Sequence, residues 1–350
     1  MADFLQIHAL TVYGPSNLNR DDTGRPKSVV FGGVPRLRVS SQSLKRAWRT
    51  SAVFAEKLNG NLADRTQRLG AEILRRLQDG GMEEAKALTV ARSIAGVFGK
   101  LKPENDKNPT FIEQLAFVSA EERTNAFALA DRALADEDLD ATQSEQVLRR
   151  VDAAADIAMF GRMLADSAAF NREAAVQVAH AVTTHRALAE DDYYTAVDDL
   201  KSRAELDDAG AGFVGVQEFG AGVFYLYVCV DRDLLLRNLD DTRSVRDASV
   251  AALVEAAATV APGGKQASYA SRARALYVLG EKGSAQPRSL VAAFLKSVDG
   301  TNQGAQSIAA LEAFRDRLDA AYGPCAAEKY AMNCEAGTGT LKDLLAFAVS

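Results

Sequence analysis

Eight lysines and arginines crowd the stretch between residues 20 and 49: Arg20, Arg25, Lys27, Arg36, Arg38, Lys45, Arg46 and Arg49. Only two acids, Asp21 and Asp22, stand among them, so the window carries an excess of six positive charges. The whole chain of 350 residues is at −6, which leaves −12 for everything outside the window. General solubility does not call for a positive island on an acidic protein. An extended anion does, and RNA is the first candidate.

The spacing predicts that three of these cations, Lys45, Arg46 and Arg49, share one helix face. Ser40-Ser41 offers an N-cap, and helical periodicity runs to about Leu58, before the stop signal Asn59-Gly60. On a helical wheel Gln42, Lys45, Arg46 and Arg49 fall within about 100° of one another. Leu44, Ala47, Trp48, Ser51, Ala55 and Leu58 take the opposite side, expected to pack on a sheet. Cations in the first turns oppose the helix dipole, at about a few tenths of a kcal/mol each when exposed. An anion bound there reverses the sign, because free N–H groups, the Ser40 and Ser41 hydroxyls and the cations converge on it. Arg20 and Lys27 of the preceding loop join the set. Several separated cations suit a polyanionic backbone better than one phosphate. A merely solvated basic face is the competing reading.

Other segments carry weaker signals. Pro262-Gly263-Gly264-Lys265-Gln266 lacks the GxxxxGK[ST] spacing and follows a helical run, so nucleotide hydrolysis is rejected, while Lys265 stays a candidate phosphate contact. Phe213, Val214 and Phe219 sit in the Gly-punctuated GAGFVGVQEFGAG, expected to form a protruding loop or hairpin with an apolar tip. They would wedge beside nucleobases or pack on a neighbouring subunit. Phe224, Tyr225 and Tyr227 do not match the KGFGFV-like signature of RNA-recognition motifs and read as core. Asp21-Asp22 is the one carboxylate pair near the basic loop that could hold Mg²⁺, although adjacent aspartates in such loops usually serve turns or ion pairs. No nucleophile elbow, HExxH or CxxC is present. Three cysteines without a CxxC argue against structural zinc. His180 and His185, roughly 140° apart on a helix, are expected to be surface or capping residues, as is His8.

The elements expected to position these residues are a strand over 4–13, a loop over 15–27, short extended pieces at 28–31 and 36–39, and the helix to residue 58. Residues 61–189 are Ala/Leu/Glu/Arg-rich with no convincing strand; helices are expected over 71–77, 82–98, 121–135, 144–165 and 171–188. The apolar run 223–230 reads as a buried central strand, followed by a helix over 243–260, strands over 273–279 and 289–296, and a helix over 306–322. That order suits an α+β sheet domain interrupted by helices. The N-terminus lacks a signal-peptide pattern, and the apolar stretch 248–261 contains Glu255 and is too short to span a bilayer. A cytoplasmic protein with no membrane association is expected.

The string FLQIHALTVYGPSNLNRDDTGRPKSVVFGGVPRLRVSSQSLKRAWRTS closely resembles the CasC backbone subunit family of the type I-E CRISPR surveillance complex, Cascade. The resemblance continues in order through DIAMFGRMLAD, VAHAVTTH, DDYYTAVDDL, GVQEFGAGVFYLY and GGKQASYA, nearly the full length. It implies an RRM-like (ferredoxin-like) palm from residues 1–60 and 223–350, a helical fingers insertion over 61–189, and a thumb over 190–222. It implies a non-catalytic scaffold without cofactors or metal, polymerising head to tail along guide RNA beside other Cascade subunits. The thumbs would kink the guide at intervals, and exposed guide bases would pair with target DNA. Carried onto this sequence, the palm contacts fall on Arg20, Lys27, Ser40, Gln42, Lys45, Arg46 and Arg49. The wedge falls on Phe213 and Val214, with Met163 of the fingers as a partner; residues 204–212 are the least family-like stretch. The alternative is a metal-dependent ribonuclease using Asp21 or Asp22 on guide-paired RNA.

Overall fold

The first strand, β1 (Phe4–Ser16), is buried on both faces: Leu5, Ile7 and Ala9 on one side, Gln6, His8 and Leu10 on the other. A strand with no wet face lies inside its sheet. The computed structural model describes residues 3–137, 141–196 and 213–350. The other strands are β2 (Ser28–Phe31), β3 (Val34–Val39), β4 (Asp64–Thr66), β5 (Ala116–Val118), β6 (Val176–Val178), β7 (Ala181–Thr183), β8 (Glu190–Ala196), β9 (Phe213–Asp231), β10 (Ala275–Gly283) and β11 (Glu328–Asn333). The helices are α1 (Ser41–Arg49), α2 (Ala52–Lys57), α3 (Leu69–Asp79), α4 (Glu84–Gly96), α5 (Ala120–Leu134), α6 (Ala141–Glu145), α7 (Ala155–Phe160), α8 (Arg232–Asn238), α9 (Arg243–Thr259), α10 (Gln266–Tyr269), α11 (Gln303–Tyr322) and α12 (Leu341–Val349).

The chain divides into two compact units. One comprises Phe4–Ser51, Val178–Cys229 and Leu253–Ser350. Its strands follow the order β11-β10-β1-β9-β7-β3-β2, with β8 also paired to β9. Neighbours β1–β10, β10–β11, β2–β3, β3–β7, β7–β9 and β8–β9 are all antiparallel. The expected buried strand at 223–230 is the inner part of β9, and Tyr225 and Tyr277 share a core with Leu10, Leu290, Phe294, Ile308 and Leu311. The other unit comprises Met1–Asp3, Ala52–Gln177 and Val230–Ala252. There Ile73, Leu77, Ala87, Ala91, Ile94, Ala126, Leu129 and Ala130 pack α3, α4 and α5 together. Ser119 and Glu122 close a reciprocal capping box on α5. No helix among the described residues is long and apolar enough to cross a membrane.

Several expected elements are different. The helix over 41–58 is two: Thr50 Oγ1 donates to the Arg46 carbonyl and Ser51 Oγ to that of Trp48, so hydroxyls compete for the ladder. Past the break the wheel loses phase, and Ala55 is exposed. The helix expected over 144–165 survives only as α6 and α7. Gly161 takes a positive φ of 79°, and buried Arg162 captures the carbonyls of Phe117 and Arg149 while pairing with Glu122. Residues 171–188 hold β6 and β7, where β-branched Val176, Val178, Val182 and Thr183 favour extension. The strand expected over 289–296 is a 3₁₀ turn at Val291–Phe294 that buries the Phe294 ring. The segment expected to lack strands also contains the β4–β5 pair.

Candidate nucleic-acid interface

Helix α1 begins where Ser40 adopts extended geometry and its hydroxyl accepts from the Ser43 N–H. Asn19 Oδ1 accepts from the Ser40 N–H at 2.9 Å, and the Asn19 carbonyl accepts from the Lys27 N–H at 2.9 Å. The Lys27 carbonyl in turn accepts from the Arg38 N–H at 2.8 Å. One asparagine therefore registers the basic loop against both the helix start and β3. Ser40 is buried in this cap. On α1 itself Leu44 and Trp48 are buried, Gln42 and Arg46 exposed, and Lys45 and Arg49 half-buried, as the wheel predicts. Burial pushes the Lys45 ammonium below its ordinary pKa.

The loop is tied down elsewhere too. Asn17 Nδ2 donates to the carbonyls of Gly24 and Glu218, and Arg25 forms an ion pair with Glu218. Asp21 Oδ1 accepts from the Thr23 N–H, the Thr23 hydroxyl and the Arg25 N–H. These bonds, that of the Thr23 hydroxyl first, hold its carboxyl below the ordinary range. Asp21 is thus a turn residue. Among the described residues no group of three His, Cys, Asp or Glu stands together to hold a metal ion.

Leu18 to Asp22 and Gly24, the α1 residues Ser43, Arg46, Ala47 and Thr50, and Gly263-Gly264 border one open depression of about 670 Å³. Arg20 and Arg46 therefore meet there although 26 positions apart. Gly264 fits because it has no side chain: a Cβ would lie 2.2 Å from the Leu18 carbonyl oxygen. Lys265 follows in the left-handed region at φ 48°, and its ammonium donates to Gln217 Oε1.

Two of the eight cations are engaged within the protein itself. Arg36 is wholly buried and donates to the carbonyls of Phe31, Thr183 and Phe294, so it is a structural residue. Arg25 is committed to Glu218. Arg38 remains at the surface, and its Nη1 lies 2.7 Å from His180 Nδ1. The other two histidines correct the surface expectation. His8 and His185 are both buried, and His185 Nε2 accepts from the Val223 N–H.

Phe213 and Val214 are ladder residues, opposite Ala196 and Thr195, rather than a loop tip. They are nonetheless 56% and 51% exposed, and Val216 and Tyr193 beside them are exposed too. Gly215 lets the Tyr194 ring lie across the strand, since a Cβ would stand 2.5 Å from it. Phe219 is half-buried against Tyr269. The remainder of the thumb expected over 190–222, residues 197–212, lies outside the described residues. Met163, in the α3–α5 unit, is 83% exposed between buried Arg162 and Leu164.

A mixed α/β chain built on a large antiparallel sheet, with a basic loop and helix start on one unit, matches known structures along its whole length. One, described as "CRISPR RNA-guided surveillance complex, pre-nicking", is 31% identical with a TM-score of 0.85, covering 99% of this chain and 100% of that one. Another, "CRISPR RNA-guided surveillance complex", is 27% identical with a TM-score of 0.75 over 99% and 100% of the two chains. Comparison with curated proteins finds no match. The family model of CT1975-like proteins matches residues 5–346. The chain belongs to that family, as a CasC-type backbone protein of Cascade.

Proposed function

We propose that this chain is a non-catalytic scaffold that holds the sugar–phosphate backbone of CRISPR guide RNA. Copies of the chain line up head to tail along the guide with other Cascade subunits, in the cytoplasm, leaving guide bases to pair with target DNA. In this reading residues 1–60 and 223–350 form an RRM-like palm, 61–189 the fingers and 190–222 the thumb. Arg20, Lys27, Ser40, Gln42, Lys45, Arg46, Arg49 and Lys265 line the guide path, Ser40 chiefly by fixing the start of α1. Phe213 and Val214 of the thumb and Met163 of the fingers wedge between nucleotides.

The observation that carries this reading is the meeting of Arg20 and Arg46 with the helix start and the Gly263-Gly264 loop around one open depression. Because guide sequences vary, recognition must rest on phosphates and leave base edges free. The three local hydrogen bonds accepted by Asp21 favour a turn role for that carboxylate over metal-dependent cleavage. Arg46→Ala is expected to weaken RNA binding by a similar factor on unrelated sequences. It should also flatten the plot of log affinity against log salt by about 0.7 for the lost phosphate contact. Titrations at several salt concentrations measure both. Loss confined to particular sequences would mean that Arg46 reads bases.

A further inference from the structure

His180 stands exposed in the turn between β6 and β7, beside two cations from other segments. Arg38 Nη1 lies 2.7 Å from its Nδ1. A guanidinium only donates, so Nδ1 is the acceptor and carries no proton. Arg38 is fixed in place: its N–H donates to the Lys27 carbonyl, and its backbone pairs with Val182 of β7, two residues after His180. Lys27 is registered by Asn19, the residue that also holds the start of α1. The charged groups bearing on the ring are Arg38 of β3 and Lys27 of the loop, both positive. Partial burial first, then these two cations, hold the imidazole below its ordinary pKa. Among the described residues no carboxylate acts on it, and both charged groups that do disfavour the charged ring.

We propose that Arg38 and His180 form a proton-coupled clasp for one phosphodiester of the bound RNA. The proposal rests on the RNA-backbone reading above and extends it to a strand and a turn that the helix-based contact set leaves out. In the free protein neutral His180 keeps Arg38 in place by accepting its hydrogen bond. When a phosphate oxygen enters, Nδ1 takes a proton from solvent and the Arg38–His180 bond is lost. The guanidinium and the imidazolium then each donate to the phosphate, and the anion offsets their mutual repulsion. One proton is taken up for each clasp closed, so binding tightens as pH falls from above the bound-state pKa of the ring to its free-state pKa.

The test is the affinity for an RNA without terminal phosphates, at fixed salt, between pH 8 and pH 6, for the wild type and His180→Gln. Glutamine can accept from Arg38 but takes up no proton. The wild type is expected to gain about threefold to tenfold over this range and the variant less than about twofold. Buried His8 and His185 are common to both proteins and cancel in the comparison. A flat wild-type profile, or a variant that keeps the wild-type slope, overturns the clasp. Arg46→Ala measured at pH 8 separates the two levels. If Arg46→Ala binds RNA normally, or the wild type binds none, the RNA-backbone reading fails and the clasp with it. If Arg46→Ala weakens binding while the wild-type pH profile is flat, only the role of His180 is refuted.

Discussion

Inside the sheet, Tyr225 Oη lies 2.9 Å from His8 Nδ1, and His8 Nε2 lies 3.2 Å from Glu281 Oε2. Ionised Glu281 can only accept, so Nε2 of the neutral His8 ring carries the proton and Nδ1 accepts from the Tyr225 hydroxyl, whose oxygen accepts from the Leu290 N–H. Burial holds His8 below its ordinary pKa, against the opposing pull of Glu281. Burial alone would raise Glu281, but hydrogen bonds from His8 and Arg288 outweigh it and bring the carboxyl to about 2. On unfolding, His8 regains a pKa near 6.5 and Glu281 one near 4.5. The unfolded chain then binds more protons, so stability should fall as pH drops below about 6.5 and again below about 4.5. Melting temperatures at pH 7.5, 6 and 5 check the first limb, which His8→Gln should flatten. An unchanged wild-type melting temperature over that range would contradict the buried neutral histidine. Neither His8 nor Arg36 was legible in the sequence as a buried group. Alternation along β1 separates two faces but does not say that both are covered, and a run of cations does not reveal which guanidinium turns inward.

Among the elements, α1 was the most legible, because Ser40 as N-cap and the Leu44/Trp48 stripe are local features that its neighbours need not supply. Its end was not, since the hydroxyls of Thr50 and Ser51 compete with the ladder only once that turn has formed. β6 and β7 were hidden by the alanines around Val176, Val178 and Val182. What makes them strands is pairing with β9 and β3, a partner no local window contains. The same holds for the depression: Arg20 and Arg46 stand out in the sequence, whereas the part of Gly264 depends on packing against Asn17 and Leu18. Gly264→Ala forces a Cβ against the Leu18 carbonyl, so it should destabilise the protein by about 1–3 kcal/mol. It should also weaken RNA binding by displacing the loop that carries Arg20. Urea unfolding and RNA titration of the variant measure the two effects; a variant as stable as the wild type would mean that the loop yields freely.

At the scale of the molecule, a chain at −6 carries a local excess of six positive charges in one window, and the folded chain gathers part of that window around an open depression. The family was legible because the resembling strings run in order over nearly the whole chain, and the matches span 99% of it. Phe213, Val214 and Val216 form exposed apolar surface on one strand, which a monomer gains nothing by displaying. Contact with RNA and with further copies of the chain would cover it. A head-to-tail contact that does not close on itself gives an open array whose length something else must set. The most direct measurement is the native mass of the protein assembled with guide RNAs of increasing length. An array templated by RNA backbone predicts a number of subunits that rises stepwise with guide length. A constant number on every guide, or the same array without RNA, would contradict it.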